Sequence, residues 1–345
     1  MAILITGAAG LLGGALTAAL LAKGLSVVAI VHRNNMVCDN SGAQLAAICD
    51  ALPVAPSGAV VLRGDVTQPG LGLDAATIQW LHRHISAVVH CAALVRFEAA
   101  QVDLEAVNIE GARNAALLCP AARHVHVSTA YVCGLAGGPV LEEPCDPAGP
   151  FGNRYEQSKA IAECAVKELR PDAVIARPSI IIGESETGRI RSFDTIYRAF
   201  KFMAEGKVAA VPALPSATLN FVPIDHVVAA IAALLNQPRS DGRIVHLAAR
   251  EAIPAVRFLH LIGTVPGLHT PRVVDPGFFS HTRWSIAEQL SRPYWGYFQR
   301  NPDFATTTLA ELTGMEAPEV NDAALLRQIT YCIDAGFIRP QRQGV

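Results

Sequence analysis

Charged residues are scarce in this 345-residue sequence. Asp, Glu, Lys and Arg make up 17% of the chain, the formal net charge is -2, and Lys and Arg form no run. Nucleic-acid binding requires clustered positive charge, so we expect no nucleic-acid partner. Hydrophobic residues account for 51% of the chain, which argues against disorder. The sequence therefore predicts a folded protein larger than one ordinary domain.

Paired cysteines are also missing. The eight cysteines are scattered and contain no C-x-x-C motif. Their spacing fits neither a zinc site nor a disulfide framework, so we expect free thiols and no bound metal. Free thiols are typical of a reducing compartment, which favours a cytoplasmic location.

The first 22 residues contain no charge. A secretory signal would begin with basic residues, and a membrane span would not be interrupted by Gly7, Gly10, Gly13 and Gly14. We therefore expect neither a signal peptide nor a membrane span here.

Short apolar runs alternate with helix-like stretches along the first 250 residues. The predicted strands are 2–6, 26–31, 59–63, 87–91, 124–128, 173–177 and 243–247. Continuous apolar strands separated by helices such as 11–23, 104–118 and 155–169 are typical of parallel sheets covered on both faces. The predicted fold class is α/β, a Rossmann-type doubly wound parallel sheet.

The composition changes after residue 183, where glycine, proline and aromatic residues become more frequent. Eight of the 21 aromatic residues lie between 278 and 304. Residues 220–235 look helical again and are expected to return to the first unit. We therefore expect a cofactor-binding domain from 1–183 plus about 218–248. A discontinuous substrate lobe is expected from about 184–217 plus 249–345.

A glycine-rich turn follows the first strand and opens the first helix. Such a turn brings backbone N–H groups and the helix N-terminus to a dinucleotide pyrophosphate. The alternative is a glycine-rich turn without a ligand. The predicted cofactor-binding residues here are Gly7, Ala9, Gly10, Leu11, Leu12 and Gly13.

The end of the second predicted strand bears on the choice of dinucleotide. An NAD enzyme places an acid there for the ribose 2′-hydroxyl. This chain has His32 and Arg33 instead, and its next acid is Asp39. Because an arginine pairs well with a 2′-phosphate, we favour NADPH, with a solvated surface arginine as the alternative.

Two further strand ends are expected to contact the cofactor. Asp65 and Val66 follow the third strand and suit an adenine contact, although Asp65 is equally well explained as a loop cap. The small residues Cys91, Ala92 and Ala93 end the fourth strand, where the cofactor backbone passes.

Tyr155 and Lys159 are spaced i and i+4, on one face of a predicted helix. The Lys159 ammonium is expected to lower the pKa of the phenol, so that Tyr155 exchanges a proton with a substrate oxygen. Ser128 and Thr129 follow the fifth strand, where a hydroxyl can share that oxygen. Together, the hydroxyl, the phenol and the ammonium predict proton exchange with the oxygen of a carbonyl or alcohol substrate.

In this order, these motifs resemble the extended short-chain dehydrogenase/reductases over most of residues 1–250. More narrowly, the chain looks like the thioester reductase and fatty acyl reductase branch. The stretches that carry this resemblance are 64–66 with 71–73, 90–95, 127–134 and 177–183.

The resemblance also assigns roles to individual residues. It favours Thr129 over Ser128 as the hydroxyl beside Tyr155 and Lys159. It further implies that Asn108, in an Asn-x-x-Gly-x-x-Asn motif, helps position the lysine. Pro178 and Ser179 would approach the nicotinamide, and Tyr155 and Lys159 would also contact the cofactor.

The activity implied is NADPH-dependent hydride delivery to an acyl or peptidyl thioester, releasing an aldehyde and, after a second hydride, an alcohol. Reductases of this branch often follow a carrier domain. This chain begins at the first strand, so we expect any acyl or peptidyl carrier protein to act in trans. A homodimer is left open.

Three alternatives use the same residues or fold. One is a ketone or alcohol oxidoreductase acting on a hydroxysteroid-like or flavonol-like substrate. Another is a nucleotide-sugar epimerase or dehydratase, which His32 and Arg33 disfavour. The last is a non-catalytic NADPH-binding protein, which would not need Thr129, Tyr155 and Lys159.

Overall fold

The computed structural model describes residues 1–194, 196–278 and 285–341. Its centre is a sheet of seven parallel strands in the order β7-β6-β5-β4-β1-β2-β3. The strand bounds are β1 Ala2–Thr6, β2 Ser26–Val31, β3 Ala59–Arg63, β4 Ile85–His90, β5 Arg123–Val127, β6 Val174–Pro178 and β7 Ile244–Leu247. The predicted doubly wound fold is therefore confirmed. The strand order reverses between β1 and β4, and this is where such sheets bind ligands.

Eleven α-helical segments accompany the sheet in the described residues. Their bounds are α1 Leu11–Ala22, α2 Ala75–His84, α3 Gln101–Leu104, α4 Gly111–Leu118, α5 Arg154–Leu169, α6 Ile196–Ala204, α7 Ile224–Leu235, α8 Ala255–Gly263, α9 Ile286–Ser291, α10 Thr307–Thr313 and α11 Asp322–Asp334. A π-helical turn, Glu105–Glu110, joins α3 to α4. The 3-10 helices are Pro69–Gly72, Ala130–Cys133, Pro238–Ser240, Pro276–Phe278 and Arg292–Gln299.

The helices cover both faces of the sheet. On one face, Leu16 of α1 and Ile231 of α7 pack in the same apolar cluster as Ile5 of β1. On the other face, Trp80 of α2 packs in a cluster with Leu4. Strands enclosed in this way are continuously apolar, which is why their positions were readable from the sequence.

The remaining strands are short pairs. Met36–Cys38 and Gln44–Ala47 form an antiparallel hairpin after β2. The other pairs are Ile180–Ile182 with Phe221–Pro223, Ala210–Pro212 with Arg272–Val274, Thr218–Leu219 with Ile253–Pro254, and Gly138–Val140 with Pro302–Phe304.

The helix expected over 220–235 begins later than predicted. Residues Phe221–Pro223 pair with Ile180–Ile182 as a strand, and α7 begins at Ile224. Pro223 explains the difference, because a proline disfavours helical backbone at the residue before it.

A second apolar cluster lies beyond the sheet and draws on α6, α8 and α11, with Phe200, Phe258 and Ile329 among its members. Helix α10 does not join it. Leu309 and Leu312 of α10 pack instead in the cluster formed by the sheet, α1 and α7. We keep the division into two lobes as a proposal and place α10 with the first lobe.

All eight cysteines are free thiols in the structure. Within the described ranges, none of the helices has the length and apolar character required to cross a membrane.

Candidate active site

Gly7 forms the tight turn at the end of β1. Its φ is +66°, and a Cβ there would lie 2.7 Å from the backbone of Ala92. Gly10 N donates to Gly7 O at 2.9 Å, and a Cβ on Gly13 would lie 2.3 Å from the same oxygen. The close approach of these backbones requires glycine at positions 7 and 13.

Helix α1 begins at Leu11, directly after this turn. Gly10 is its N-cap and supplies no side-chain hydrogen bond. The N–H groups of Leu11, Leu12 and Gly13 lie in the first turn, where they have no acceptor within the helix. They are suited to a pyrophosphate, so the loop fits the expected cofactor.

Arg191 supports this loop from outside the first unit and was not anticipated from the sequence. Its Nη2 donates to Ala9 O at 3.0 Å and to Gly10 O at 2.6 Å. The contact spans more than 180 positions in the chain, and no pattern in the sequence indicates it.

Three basic side chains surround the end of β2. His32 and Arg33 are exposed, and Arg63 at the end of β3 donates to His32 O at 2.7 Å and to Asn35 Oδ1 at 2.5 Å. Arg63 was also missed, although the register of the parallel strands pairs it with Val31. This basic group fits a phosphate on the adenosine ribose.

The Asp65 carboxylate is held within its own loop. Its Oδ1 accepts hydrogen bonds from Thr67 N at 2.9 Å and Thr67 Oγ1 at 2.8 Å, and its Oδ2 lies 3.8 Å from His32 Nδ1. These contacts are the ones expected if Asp65 caps its own loop. Val66 O accepts from Asn114 Nδ2 at 2.8 Å, so the loop is tied to α4.

Cys91, Ala92 and Ala93 follow β4 and are half-buried beside the glycine turn. Ala92 N donates to Thr6 Oγ1 at 3.4 Å, which brings the ends of β4 and β1 together. Burial raises the pKa of the Cys91 thiol to about 12, so this cysteine is not a thiolate at neutral pH.

Pro178 ends β6, and Ser179 N donates to Leu247 O at 3.0 Å. The Ser179 hydroxyl is buried and has no hydrogen-bond partner within residues 1–194, 196–278 and 285–341, and the same holds for Ser128 Oγ. A buried polar atom without a partner is costly. Both hydroxyls therefore fit a polar ligand at the carboxyl ends of β5 and β6.

Tyr155 and Lys159 lie in the first two turns of α5, and both are buried. Asn153 caps this helix by accepting from Glu156 N at 2.9 Å. The Lys159 ammonium donates to Val127 O at 2.8 Å and lies 3.3 Å from His126 Nε2. Lysine is thereby held against the end of β5.

The pKa values of the pair differ from the expectation. Burial lowers the pKa of Lys159 to about 8. Burial, and secondarily the Glu156 carboxylate, raises the pKa of Tyr155 above its usual value. The phenol pKa is thus raised rather than lowered in this structure, with desolvation as the largest cause.

Thr129 is the N-cap of the 3-10 helix Ala130–Cys133, which packs against α5. Its Oγ1 accepts a hydrogen bond from Tyr131 N at 3.3 Å, which leaves the hydroxyl proton for a further acceptor.

Asn108 lies in the π-helical turn and is fully buried. Its Oδ1 accepts from Leu94 N at 2.7 Å, while its Nδ2 donates to Leu94 O at 3.2 Å and to Ser158 Oγ at 2.9 Å. Asn108 therefore fixes the loop after β4 to helix α5.

Phe97, in that loop, is a further residue that the sequence did not reveal. Its ring centroid lies 5.8 Å from that of Tyr155, 4.9 Å from Tyr294 and 5.8 Å from Tyr297. Phe97 thus joins the proposed proton donor to aromatic residues of the second lobe.

Most of the described aromatic residues in 278–304 belong to the core. Trp295, Tyr297, Phe298 and Phe304 are buried, and Tyr294 is half-buried. Phe279, Trp284 and the side chain of Phe278 lie outside the described residues. A cavity of about 30 Å³ in the second lobe is lined by other residues, including Phe200 and Phe258. This volume is comparable to one water molecule and does not accommodate an acyl chain.

The arginines of this region differ in their environments. Arg272 and Arg292 are exposed, whereas Arg300 is buried. Arg300 Nη1 donates to Glu156 Oε2 at 3.0 Å and to Gly134 O at 2.6 Å. Arg283 lies outside the described residues.

No cluster of three or more metal-ligating His, Cys, Asp or Glu side chains occurs in the described part of the chain. His246 is buried with Nδ1 2.9 Å from Ala305 O, and burial lowers the pKa of His226. His281 lies outside the described residues.

The family model described as "Male sterility protein" matches residues 5–231. Among curated proteins, the chain is 28% identical over 235 residues to the L-2-aminoadipate reductase large subunit of Penicillium chrysogenum, covering 61% of this chain and 16% of that protein. It is 27% identical over 202 residues to the aldehyde reductase lnaA of Aspergillus flavus, covering 54% and 19%. The chain thus spans about a fifth or less of these relatives.

Among solved structures, the chain is similar to the terminal R domain from the myxalamid PKS-NRPS biosynthetic pathway. The TM-score is 0.80 at 25% identity, with 99% of this chain and 92% of that one covered. MoeE5 in complex with UDP-glucose and NAD matches at a TM-score of 0.69 and 18% identity, covering 97% and 99%, and shares the fold. The chain belongs to the male sterility protein family, and it is an NAD(P)-dependent reductase of the extended short-chain dehydrogenase/reductase type.

Proposed function

We propose that this protein is an NADPH-dependent thioester reductase that releases an aldehyde. The observation that carries the proposal is the similarity of nearly the whole chain to the R domain of a PKS-NRPS pathway, in both lobes. The name of the aminoadipate reductase relative adds support. The proposed substrate is an acyl or peptidyl thioester on CoA or on a carrier protein.

The dinucleotide is expected to be held by residues at five strand ends. The first turn of α1 binds the pyrophosphate, and His32, Arg33 and Arg63 bind the 2′-phosphate. Val66, Cys91 and Ala92 line its path, and Ser179 donates to the carboxamide region. When bound there, NADPH supplies the hydride.

Thr129 and Tyr155 are proposed to donate hydrogen bonds to the thioester carbonyl oxygen. As the carbonyl carbon becomes tetrahedral, negative charge develops on that oxygen, and the two hydroxyls stabilise it. The nearby Lys159 ammonium adds positive charge. Collapse of the hemithioacetal then breaks the C–S bond, and the sulfur leaves with a proton as a free thiol.

The acyl group is proposed to lie against Phe97 and Tyr294. Phe97 contacts Tyr155 on one side and Tyr294 on the other, and both Phe97 and Tyr294 are only half-buried. The small cavity among Phe200 and Phe258 is excluded by its volume.

Thiol release provides the test. Thioester reduction must release one thiol for each aldehyde formed, whereas ketone reduction releases none. NADPH absorbance and a thiol reagent are followed together on a panel of acyl-CoAs, acyl-pantetheines and ketones, with the Tyr155→Phe protein as control. We expect equal rates of NADPH loss and thiol appearance. NADPH loss on ketones alone, with no thiol from any thioester, would replace the proposal with a ketone reductase.

A further inference from the structure

Among the residues that the structure describes, the Lys159 ammonium has two hydrogen-bond acceptors, and both come from the end of β5. One is the carbonyl of Val127 at 2.8 Å, and the other is His126 Nε2 at 3.3 Å. The lysine side chain is 1% exposed and His126 is fully buried. Water therefore contributes little to holding this ammonium, so its position depends on these two groups.

Asn108 does not share this task in the structure. Both ends of its amide are bonded to the Leu94 backbone, and Nδ2 also donates to Ser158 Oγ. Asn108, which the resemblance suggested for positioning the lysine, thus holds the loop after β4. The imidazole of His126 lies against the ammonium instead.

His126 can act only as an acceptor toward a lysine ammonium, which requires a neutral ring with its proton on Nδ1. Burial, followed by the charges of Lys159, His90 and His124, holds the pKa of His126 well below its ordinary value. Its Nδ1 has no hydrogen-bond partner among the described residues. With the proton on Nδ1, the lone pair on Nε2 is available to the lysine.

The ring of His126 is also fixed in place. His90 stacks on it with a centroid distance of 5.4 Å and an angle of 21° between the planes. His90 Nδ1 in turn lies 2.7 Å from Thr6 Oγ1, at the end of β1. The imidazole is thus supported by two neighbouring strands.

We propose that His126 is a positioning residue for Lys159, aiming the ammonium at Tyr155 and keeping it protonated. This inference rests on the proposed roles of Tyr155 and Lys159. It explains why a histidine occupies the inside of a strand where an apolar residue would pack at lower cost.

Several titratable groups face Lys159. Tyr155 and Glu163 lie on its own helix, His90 and Cys91 at the end of β4, and His126 on β5. Glu163 is paired with Arg177 of β6 at 2.7 Å. Removing the His126 acceptor leaves these groups unchanged. The ammonium then keeps one acceptor, the carbonyl of Val127. Since the neutral amine is then favoured, Lys159 should lose its proton at a lower pH.

The test is the pH dependence of kcat between pH 6 and 9. Wild-type turnover should fall as the pH rises through about 8, the pKa of Lys159. In His126→Phe this fall should occur about one to two pH units lower. A shift of this size corresponds to the free energy of one hydrogen bond to a charged group. At pH 7.5 kcat should then be reduced about tenfold, with recovery toward wild type at pH 6.

Matched variants separate positioning from packing. His126→Gln keeps an acceptor and should restore the wild-type pH profile. His124→Phe removes another buried imidazole of β5 and should leave the profile unchanged. If His126→Phe does not fold, His126→Met takes its place, because methionine has a similar volume and no strong acceptor.

The two proposals fail in different ways. Near-normal turnover in Lys159→Met would remove the basis of the proposed function. Loss of turnover in Lys159→Met, together with a wild-type pH profile in His126→Phe, would overturn the inference about His126 alone.

Discussion

Glu156 Oε2 accepts a hydrogen bond from Arg300 Nη1 at 3.0 Å, although the two residues are 144 positions apart. Glu156 directly follows Tyr155, and its carboxylate is fully buried. The guanidinium lies beside the rings of Tyr131 and Tyr297, 4.7 and 4.4 Å from their centroids. This ion pair connects the first turn of α5 to the end of the 3-10 helix Arg292–Gln299, so the position of Tyr155 depends on a contact far along the chain.

Breaking this pair should be costly. Arg300→Met or Glu156→Gln alone should lower the free energy of unfolding by about 3–5 kcal/mol, because one buried group loses its partner. The double variant should recover part of this loss. Urea denaturation measures the unfolding free energies of the single and double variants. Arg257→Met, at the exposed pair with Asp322, is the control, and its unfolding free energy should change by no more than about 1 kcal/mol. An equal loss of unfolding free energy in Arg300→Met and Arg257→Met would contradict the claim that burial makes the Glu156–Arg300 pair costly to break.

Tyr155→Phe should retain NADPH affinity and lose most of its turnover, because only the proposed proton donor is removed. Thr129→Ala should slow turnover less, since a water molecule can replace part of its hydroxyl. Dissociation constants and single-turnover rates test this. Tyr331→Phe, in the second lobe beside Phe193, is the control. A near-wild-type rate in Tyr155→Phe would exclude it as the acid.

The basic group near β2 should discriminate between dinucleotides. Arg33→Ala and Arg63→Ala should each weaken NADPH binding by about 1.5–3 kcal/mol, the contribution of a hydrogen bond to a charged group. NADH binding should change little, because it lacks the 2′-phosphate. Fluorescence titration with both dinucleotides gives the values, and Arg83→Ala, on the exposed side of α2, is the control. Equal affinity of the wild type for NADH and NADPH would refute the preference.

Acid should destabilise the protein below pH 6.5. Burial lowers the folded-state pKa of His124 to about 3 and that of His246 to about 4. Between these values and about 6.5 the unfolded chain binds more protons than the folded one, so stability present above pH 6.5 is lost as the pH falls. Each histidine should contribute a loss of about 2 kcal/mol at pH 5.

The difference in unfolding free energy between pH 7 and pH 5 measures this effect. His124→Gln should reduce that difference, whereas His260→Gln, at an exposed position of α8, should not. An unchanged difference in His124→Gln would show that this histidine does not carry the pH dependence.

The features that the sequence predicted are local ones. β1, β2 and β3 begin and end at the predicted residues because each is a largely apolar run that is followed by a glycine or a polar residue. The glycine turn was equally readable, since close backbone approach leaves few alternatives to glycine. The proposed pair Tyr155 and Lys159 was found from its helical spacing together with its position after Ser128 and Thr129.

The features that were missed depend on distant contacts. Arg300 looks like any surface arginine until Glu156 is brought beside it, and Arg191 reaches Gly10 across two lobes. His126 was hidden within a predicted strand, where its neighbour Lys159 is supplied by another element. The hairpin of Met36–Cys38 and Gln44–Ala47 is too short and too exposed to give an apolar run.

The return of α10 to the sheet has a consequence for protein engineering. Leu309 and Leu312 lie late in the chain and pack in the same apolar cluster as Val227 and Ile231 of α7. A chimera in which residues from 249 onward come from another protein would therefore lack α10 and expose the apolar surface of the sheet cluster that α10 covers. Exchange of substrate lobes between relatives should instead retain residues Thr307–Thr313 of the recipient, so that the transplanted portion ends before α10.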